Sequence, residues 1–274
     1  MEQASDSGFI YYTRYFRSTA PAVPPFRAGL LTPFDCFSLV TLPGDAQTWS
    51  VTVYISSRDH PLKRLRDPGR WTALVAACPL HAHLLDGEPI TGVLAMSGLV
   101  NRYRRLVVDE TPVATGIVGV GDSQACTNPS LGRGITTGLL HAAGTLDVVR
   151  EHLGDPLALA RGHDQMTQTR VRPWYQDTID FGRDRKEQID ASIAGRPARP
   201  PADLAALARR ALPAAMMDDA DLFRAFAEII AMLTPPQQVM TRPGLTDRII
   251  RVADGRQPVT PPGPSRDHVL RMLA

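Results

Sequence analysis

The sequence is poor in cysteine and lacks any long apolar segment. Its three cysteines, Cys36, Cys78 and Cys126, are odd in number and widely spaced, which argues against a disulfide framework and favours a reducing compartment. No apolar run approaches the ~20 residues of a membrane-spanning helix, and nothing resembles a signal peptide. The sequence therefore predicts a cytoplasmic protein without a membrane span.

An excess of charge of one sign is also missing. The chain has 30 Lys and Arg against 28 Asp and Glu, and no run of basic residues concentrates the formal charge of +2. Such a charge is too small to favour nucleic acid or an anionic membrane as a partner. The 274 residues, 43% of them hydrophobic, suffice for one large or two modest domains. The oligomeric state stays unknown at this level.

Potential metal ligands form only one close group. Cys78, His81 and His83 supply three ligands, whereas a structural zinc site needs four. We interpret the histidines as a surface pair and predict no metal site. No histidine or cysteine has a convincing partner in the sequence, so the catalytic residues stay unknown.

Strand patterns dominate the first part of the chain, and helical patterns dominate the last. Residues 9–17, 34–42 and 48–56 are rich in aromatic and β-branched residues, and Pro43-Gly44-Asp45 between the last two is typical of a hairpin. These segments predict an antiparallel sheet. Apolar residues at helical spacing predict helices over 161–193 and 202–253, and four prolines predict an extended tail at 257–266.

The segment 116–150 carries the most specific functional signal. The apolar run 117–120 between two glycines predicts a strand buried on both faces. Asp122, just beyond it, can accept hydrogen bonds from ligand hydroxyls, as acids beyond strand ends do for ribose. A loop rich in glycine then leads into a helix, whose free N–H groups favour an anion or an electron-rich carbonyl. The apolar positions of this helix step by four and three and predict one buried stripe: Ile135, Leu139, Ala142, Leu146, Val149 and Leu153.

Two other interpretations of this segment are weaker. Gly119-x-Gly121 with the downstream acid Asp147 suggests a dinucleotide fingerprint, but Gln124 occupies the third glycine position and Pro129 would interrupt a helix starting there. The glycines could also simply form a turn that Asp122 caps.

The pattern Gly121-Asp122, Asn128-Pro129 and Gly132-Arg133-Gly134 ahead of a helix resembles the second FAD-binding motif of flavin-dependent monooxygenases of the para-hydroxybenzoate hydroxylase type. Related flavin-dependent halogenases and geranylgeranyl-reductase-like proteins share this motif. The resemblance implies that Asp122 binds the ribityl chain of FAD and that the loop faces the pyrimidine edge of the flavin. The implied cofactor-binding residues are Gly121, Asp122, Asn128, Pro129, Gly132, Arg133, Gly134 and Ile135.

The resemblance covers only the C-terminal part of such an enzyme. Family members begin with a GxGxxG unit for the adenosine half of FAD, and this sequence contains no such unit, so we expect a chain that is N-terminally truncated relative to the family.

The implied fold class is α+β, as part of an α/β FAD-binding fold. Three domains are predicted: a substrate-domain sheet with short helices at 1–110, the remnant of the FAD domain at 111–195, and a linker, helical cap and proline-rich tail at 196–274.

The implied function is that of an FAD-dependent oxidoreductase, specifically a monooxygenase that uses NAD(P)H as reductant and acts on a small organic substrate. A flavin-dependent reductase of isoprenoid double bonds is one alternative. A non-enzymatic remnant or interaction module, unable to hold FAD alone, is another. Four tyrosines of the predicted sheet could line the substrate site, with plain packing as the other interpretation: Tyr11, Tyr12, Tyr15 and Tyr54.

Overall fold

The computed structural model describes residues 1–254 and 260–274. The strands are β1 (Glu2–Asp6), β2 (Phe9–Arg17), β3 (Leu31–Pro33), β4 (Phe37–Pro43), β5 (Thr48–Ser56), β6 (Glu88–Pro89), β7 (Leu94–Met96), β8 (Val100–Arg104), β9 (Val107–Val108), β10 (Thr111–Pro112) and β11 (Ala125–Cys126). The α-helices are α1 (Pro68–Ala76), α2 (Gly134–His152), α3 (Pro156–Met166), α4 (Arg172–Ile193), α5 (Leu204–Ala215), α6 (Ala220–Ile230), α7 (Pro236–Met240), α8 (Leu245–Ala253) and α9 (Arg266–Leu273). Antiparallel strand pairs combined with helices confirm the predicted α+β class.

Shorter helical turns connect these elements. They are the 3₁₀ turns Pro61–Arg66, Ala82–Leu85, Gly121–Ser123 and Pro129–Leu131 and the π-helical turn Thr167–Val171 between α3 and α4. Residues 257–259 of the predicted tail lie outside the described residues, and 260–265 has no regular structure before α9 begins at Arg266.

The chain divides into two compact units, each assembled from separate stretches. The sheet unit consists of residues 6–99, 182–199 and 260–274. The motif unit consists of residues 1–5, 100–181 and, of those described, 200–254. The predicted domains 1–110, 111–195 and 196–274 are consecutive, whereas these units interleave along the chain, and that division stays a prediction.

The sheet unit is built on the predicted hairpin. β4 pairs antiparallel with β5, and β2 pairs with β5 along its whole length, so the order is β3-β4-β5-β2-β6, with β7 also paired to β2. Alternate apolar residues of β5 join α1 and α9 in one core. Within it, the indole nitrogen of Trp71 donates to the carbonyl of Tyr12 (2.9 Å) and that of Trp49 to Leu84 (3.0 Å). Both large rings are thus buried with their single donor satisfied.

A second core lies on the other face of this sheet. Phe9, Tyr11 and Tyr54 pack there against Ile189 in the part of α4 that belongs to the sheet unit. Arg185 of the same helix is buried and donates to the carbonyl oxygens of Phe34 and Phe37 (2.6 Å to the latter) and to the hydroxyl of Ser38 (2.9 Å). One guanidinium therefore satisfies three buried acceptors between the strands.

The motif unit has smaller cores. β8 lies between β1 and β11 in a three-stranded sheet, and Tyr103 and Ala125 pack against Val171 and Tyr175. Helices α5 to α8 bury their own apolar cluster, and the Asp219 carboxylate caps α6 by accepting from the backbone of Leu222 at 3.2 Å. The predicted helical character of 202–253 is confirmed.

Candidate functional site

The predicted strand at 117–120 is not formed. These residues have no regular secondary structure, and the side chain of Ile117 is 61% exposed. A buried strand requires neighbours for its backbone N–H and C=O groups, and no strand in the described part of the chain pairs with this segment. The prediction of a strand buried on both faces is therefore wrong, although the acidic turn that follows it is present.

Gly121 and Asp122 lie in a closed turn. Gly121 has a φ of 60°, the left-handed region that favours glycine, and begins the 3₁₀ turn Gly121–Ser123. The Ser123 hydroxyl accepts from the N–H of Val120 (2.9 Å) and donates to its carbonyl (2.8 Å). A Cβ atom placed on Gly121 would lie 3.7 Å from Cα of Gly138 in α2, so turn and helix approach closely. The side chain of Asp122 is exposed, so its carboxylate is accessible to a ligand.

The loop before α2 is tight. The Asn128 side chain accepts from the backbone N–H (3.1 Å) and the hydroxyl (2.5 Å) of Ser130, and the backbone N–H of Asn128 donates to Asn101 (2.9 Å). Pro129 opens the 3₁₀ turn, and Gly132 ends it with a φ of 66°. These contacts give Asn128 the role of a buried cap that shapes the loop.

Open space surrounds the glycines of the loop. A Cβ atom placed on Gly132 or Gly134 would meet no other atom within 4 Å, and Gly134, Ile135 and Thr136 at the start of α2 are exposed. The first N–H groups of a helix have no partner within that helix. An exposed carboxylate, a backbone free for close approach and a helix N-terminus are the features that the flavin end of FAD requires, so these residues fit the cofactor.

Arg133 faces away from this open space. Its side chain is 6% exposed, lies 2.6 Å from a carboxylate oxygen of Asp177 and sits 5.2 Å above the ring of Trp174. The guanidinium therefore fastens the loop to α4, which leaves only the backbone of Arg133 for a ligand. Because Asp177 follows 44 residues later, nothing local in the sequence indicated this role.

The predicted apolar stripe of α2 is exposed instead of buried. Ile135, Leu139 and Leu153 have 81%, 66% and 76% of their surface exposed. The buried side of α2 carries His141, Gly144 and Val148. Gly144 lies close to the Met166 side chain of α3, so the small residue permits the helices to pack. The prediction of the buried face is wrong because periodicity shows where an apolar face lies, and not whether another element covers it.

One residue of the turn's surroundings was not predicted. The backbone N–H of Gly121 donates to Nδ1 of His141, at 3.2 Å. His141 lies 20 residues downstream of Gly121, on the polar side of the amphipathic pattern of α2, so no local pattern in the sequence indicated this contact.

The four tyrosines occupy different environments in the sheet unit. Tyr11 and Tyr54 are 3% and 0% exposed, with ring centroids 5.2 Å apart, and Tyr12 is 4% exposed in the core on the opposite face. Tyr15 is 42% exposed. The first three positions agree with packing, and the substrate-lining role stays a prediction.

The cysteine and histidine group does not form the predicted surface pair. His81 is buried, and its Nε2 lies 3.2 Å from the hydroxyl of Thr32. Burial, and then neighbouring His83, lower the pKa of His81 to about 4. Nε2 of His83 lies 2.8 Å from the carbonyl of Pro25, and the Cys78 thiol donates to Leu74. Across 1–254 and 260–274, no group of three or more His, Cys, Asp or Glu could hold a metal ion.

None of the helices formed by residues 1–254 and 260–274 has both the length and the apolar character needed to cross a membrane.

Comparisons with known proteins give matches among solved structures alone. No family model and no curated protein sequence matches this chain. HpxO of Klebsiella pneumoniae, solved with FAD and uric acid, matches at a TM-score of 0.51 and 12% identity over 91% of this chain and 55% of its own. PqsL of Pseudomonas aeruginosa, described as a probable FAD-dependent monooxygenase, matches at a TM-score of 0.50 and 15% identity over 70% of this chain and 52% of its own.

The chain spans about half the length of these solved structures. Identities this low establish the fold alone. At that level the expected fold is confirmed: over about half of their length, this chain shares the fold of HpxO and PqsL.

Proposed function

We propose that this chain is part of an FAD-dependent oxidoreductase, specifically a monooxygenase, and that residues 121–135 bind the flavin end of FAD. One observation carries the proposal: the exposed Asp122 carboxylate follows a left-handed glycine, and an open glycine loop leads into the 19-residue helix α2. The fold shared with HpxO, which was solved with FAD, supports it.

Each part of the loop has a binding role in this proposal. The Asp122 carboxylate accepts hydrogen bonds from ribityl hydroxyls, and hydrogen bonds to an ionised group are the stronger kind. Gly132 and Gly134 let the backbone approach the ring edge, since neither carries a side chain in the open space. The N–H groups of Gly134 and Ile135 donate towards the electron-rich pyrimidine carbonyls. Asn128, Pro129 and Arg133 hold the loop in this shape.

The chemistry of the reaction belongs to the cofactor. FAD, when bound, would take two electrons from NAD(P)H and pass them to molecular oxygen, so that one oxygen atom could enter the substrate while the other leaves as water. The residues of the loop would bind and orient the flavin, and the sheet unit would contribute to binding a small organic substrate. Of the four candidate tyrosines, Tyr15 has the ring that is most accessible to a ligand.

A second candidate function has its own support. The exposed apolar stripe of α2 favours an interaction module that does not hold FAD. Flavin binding separates the two candidates, because a module of that kind would fold without binding flavin.

The test is a flavin titration of the purified 274-residue chain. Riboflavin and FAD are added up to millimolar concentration, and quenching of flavin fluorescence is recorded for the wild type, for Asp122→Ala and for the control Asp45→Asn, an exposed aspartate in the hairpin turn. We expect saturable quenching in the wild type. The flavin affinity should fall about tenfold or more in Asp122→Ala, since hydrogen bonds to a carboxylate are lost, and should be unchanged in Asp45→Asn. Absence of quenching by either flavin, with the fold intact, would instead support the interaction module.

A further inference from the structure

A single buried side chain connects the Gly121–Asp122 turn to the helices behind it. His141 of α2 is 0% exposed. Its Nδ1 lies 3.2 Å from the backbone nitrogen of Gly121, and its Nε2 lies 3.1 Å from the Thr167 hydroxyl in the π-helical turn. That hydroxyl donates onward to the carbonyl of His163, at 2.7 Å. The turn, α2, α3 and the π-helical turn of the motif unit thus meet in one chain of hydrogen bonds.

The donors and acceptors of this chain require one form of the imidazole. A backbone N–H can only donate, so Nδ1 of His141 must be the acceptor and carries no hydrogen. The ring hydrogen is then on Nε2, which donates to the Thr167 hydroxyl, and the hydroxyl hydrogen points to the His163 carbonyl. Every polar atom of the ring is satisfied when the ring is neutral, and in this tautomer alone.

The surroundings of the ring also disfavour its cationic form. The His163 ring stacks on His141 with centroids 5.1 Å apart. Burial, and then His163, lower the pKa of His141 to about 4, and burial lowers the pKa of His163 too. Charged groups on the neighbouring elements include Asp122 on the turn, Arg161 and Asp164 of α3, the latter 2.6 Å from Arg105, and Arg170 of the π-helical turn, 3.6 Å from Asp147 of α2.

We propose that His141 is a positioning residue of the flavin site: its neutral ring holds the N–H of Gly121 and thereby sets the turn that presents Asp122. This inference rests on the proposed function. A hydrogen on Nδ1 would face the Gly121 N–H, donor against donor, so protonation of His141 must displace the turn. Flavin binding then weakens in acid because Asp122 is no longer held in place.

The experiment follows the turn and the ligand separately. In His141→Asn, the side-chain oxygen stands where Nδ1 stands and accepts the same hydrogen bond without titrating, whereas His141→Phe has a ring but no acceptor. His152→Asn, further along α2, is the control. Hydrogen exchange of the Gly121 amide, expressed as protection relative to its intrinsic rate, is measured by NMR between pH 8 and 4. Riboflavin affinity is measured over the same range.

We expect protection of Gly121 in the wild type at pH 7, lost as the pH falls towards 4. Protection should be absent at every pH in His141→Phe and present at every pH in His141→Asn. Riboflavin affinity at pH 7 should fall about tenfold in His141→Phe, as for one lost hydrogen bond, and return in His141→Asn. His152→Asn should behave as the wild type does.

The outcomes distinguish this inference from the proposed function. If riboflavin binds the wild type and His141→Phe equally well, the positioning role is overturned while the flavin site stands. If Gly121 exchanges equally fast in both, the hydrogen bond does not hold the turn, and the inference again fails. If the wild type binds no riboflavin but Gly121 protection depends on His141, the proposed function fails, and with it the role of His141 towards flavin.

Discussion

Strand β5 of the sheet unit and helix α2 of the motif unit have equally clear apolar patterns, but only β5 is buried as its pattern predicts. Trp49, Val51 and Val53 alternate along β5 and are each 1% exposed or less. Ile135 and Leu139 recur along α2 with the same regularity and are mostly exposed. An apolar pattern therefore identifies a surface suited to burial, whereas burial itself depends on the elements that the same chain supplies.

In the sheet unit, the chain supplies those elements. β5 lies between β4 and β2, and α1 and α9 cover its core face. In the motif unit, α2 packs through its small and polar side, at Gly144 and His141, against α3 and the turns. The loop between Asn128 and Gly134 is therefore shaped by hydrogen bonds and an ion pair more than by an apolar core.

The largest effect is expected in the sheet unit. Arg185→Ala removes the donor to two carbonyls and a hydroxyl that stay buried, and should lower the free energy of unfolding by about 3–4 kcal/mol. Urea unfolding followed by tryptophan fluorescence measures it, with exposed Arg17→Ala as the control. Equal stability of the two variants would contradict the role given to Arg185.

The next largest effect is expected in the loop before α2. Arg133→Ala leaves the half-buried partner Asp177 without its cation and removes the contact with Trp174, so we expect a loss of about 2–3 kcal/mol. Trp174 emission reports this unit directly. The exposed Arg150→Ala on α2 serves as the control, and a loss as large there would show that the buried ion pair is not the cause.

Both units should respond to acid through a buried histidine. The pKa values of His81 in the sheet unit and His141 in the motif unit are lowered to about 4 by burial. As the pH falls, these histidines therefore bind protons in the unfolded chain before they do so in the folded chain. Their contribution to the free energy of unfolding is fully present above about pH 6.5 and is lost as the pH falls towards 4. We expect each of the two histidines to contribute about 1–3 kcal/mol to the free energy of unfolding.

Urea unfolding at pH 7.0, 5.5 and 4.5 tests this expectation. His81→Gln, which keeps an amide group near the Thr32 hydroxyl, should flatten the pH dependence of the sheet unit alone, and His141→Asn that of the motif unit alone. A pH dependence unchanged by both substitutions would assign the effect to other groups.

The smallest effect is expected on the exposed stripe of α2. Leu139→Ser changes an exposed side chain and should alter the free energy of unfolding by less than about 0.5 kcal/mol. Val148→Ser, on the buried side of the same helix, should cost about 2 kcal/mol. Thermal unfolding of the two variants compares them, and a reversed order would mean that the apolar stripe is the buried face after all.

The predictable part of the fold is the part whose signals are local. The hairpin of β4 and β5 follows from Pro43-Gly44-Asp45 and alternation, and the start of α6 follows from the capping residue Asp219. The tight loop of the candidate site likewise follows from Asn128, Pro129 and the glycine at 132.

The unpredicted part depends on contacts between residues far apart in the sequence. The pairing of Arg133 with Asp177 and of Gly121 with His141 joins positions 44 and 20 residues apart, with no periodic signal. The irregular course of 117–120 has a similar origin, because a β-branched run becomes a strand only beside another strand. Local patterns therefore identified the loop but not what holds it.

The central claim is that residues 121–135 bind the flavin end of FAD, and backbone NMR of the 274-residue chain tests it most directly. On addition of riboflavin, we expect amide shifts concentrated at Gly121, Asp122, Gly132, Gly134 and Ile135, and the loss of these shifts in Asp122→Ala. Shifts confined to other parts of the chain, or none at millimolar riboflavin, would contradict the claim.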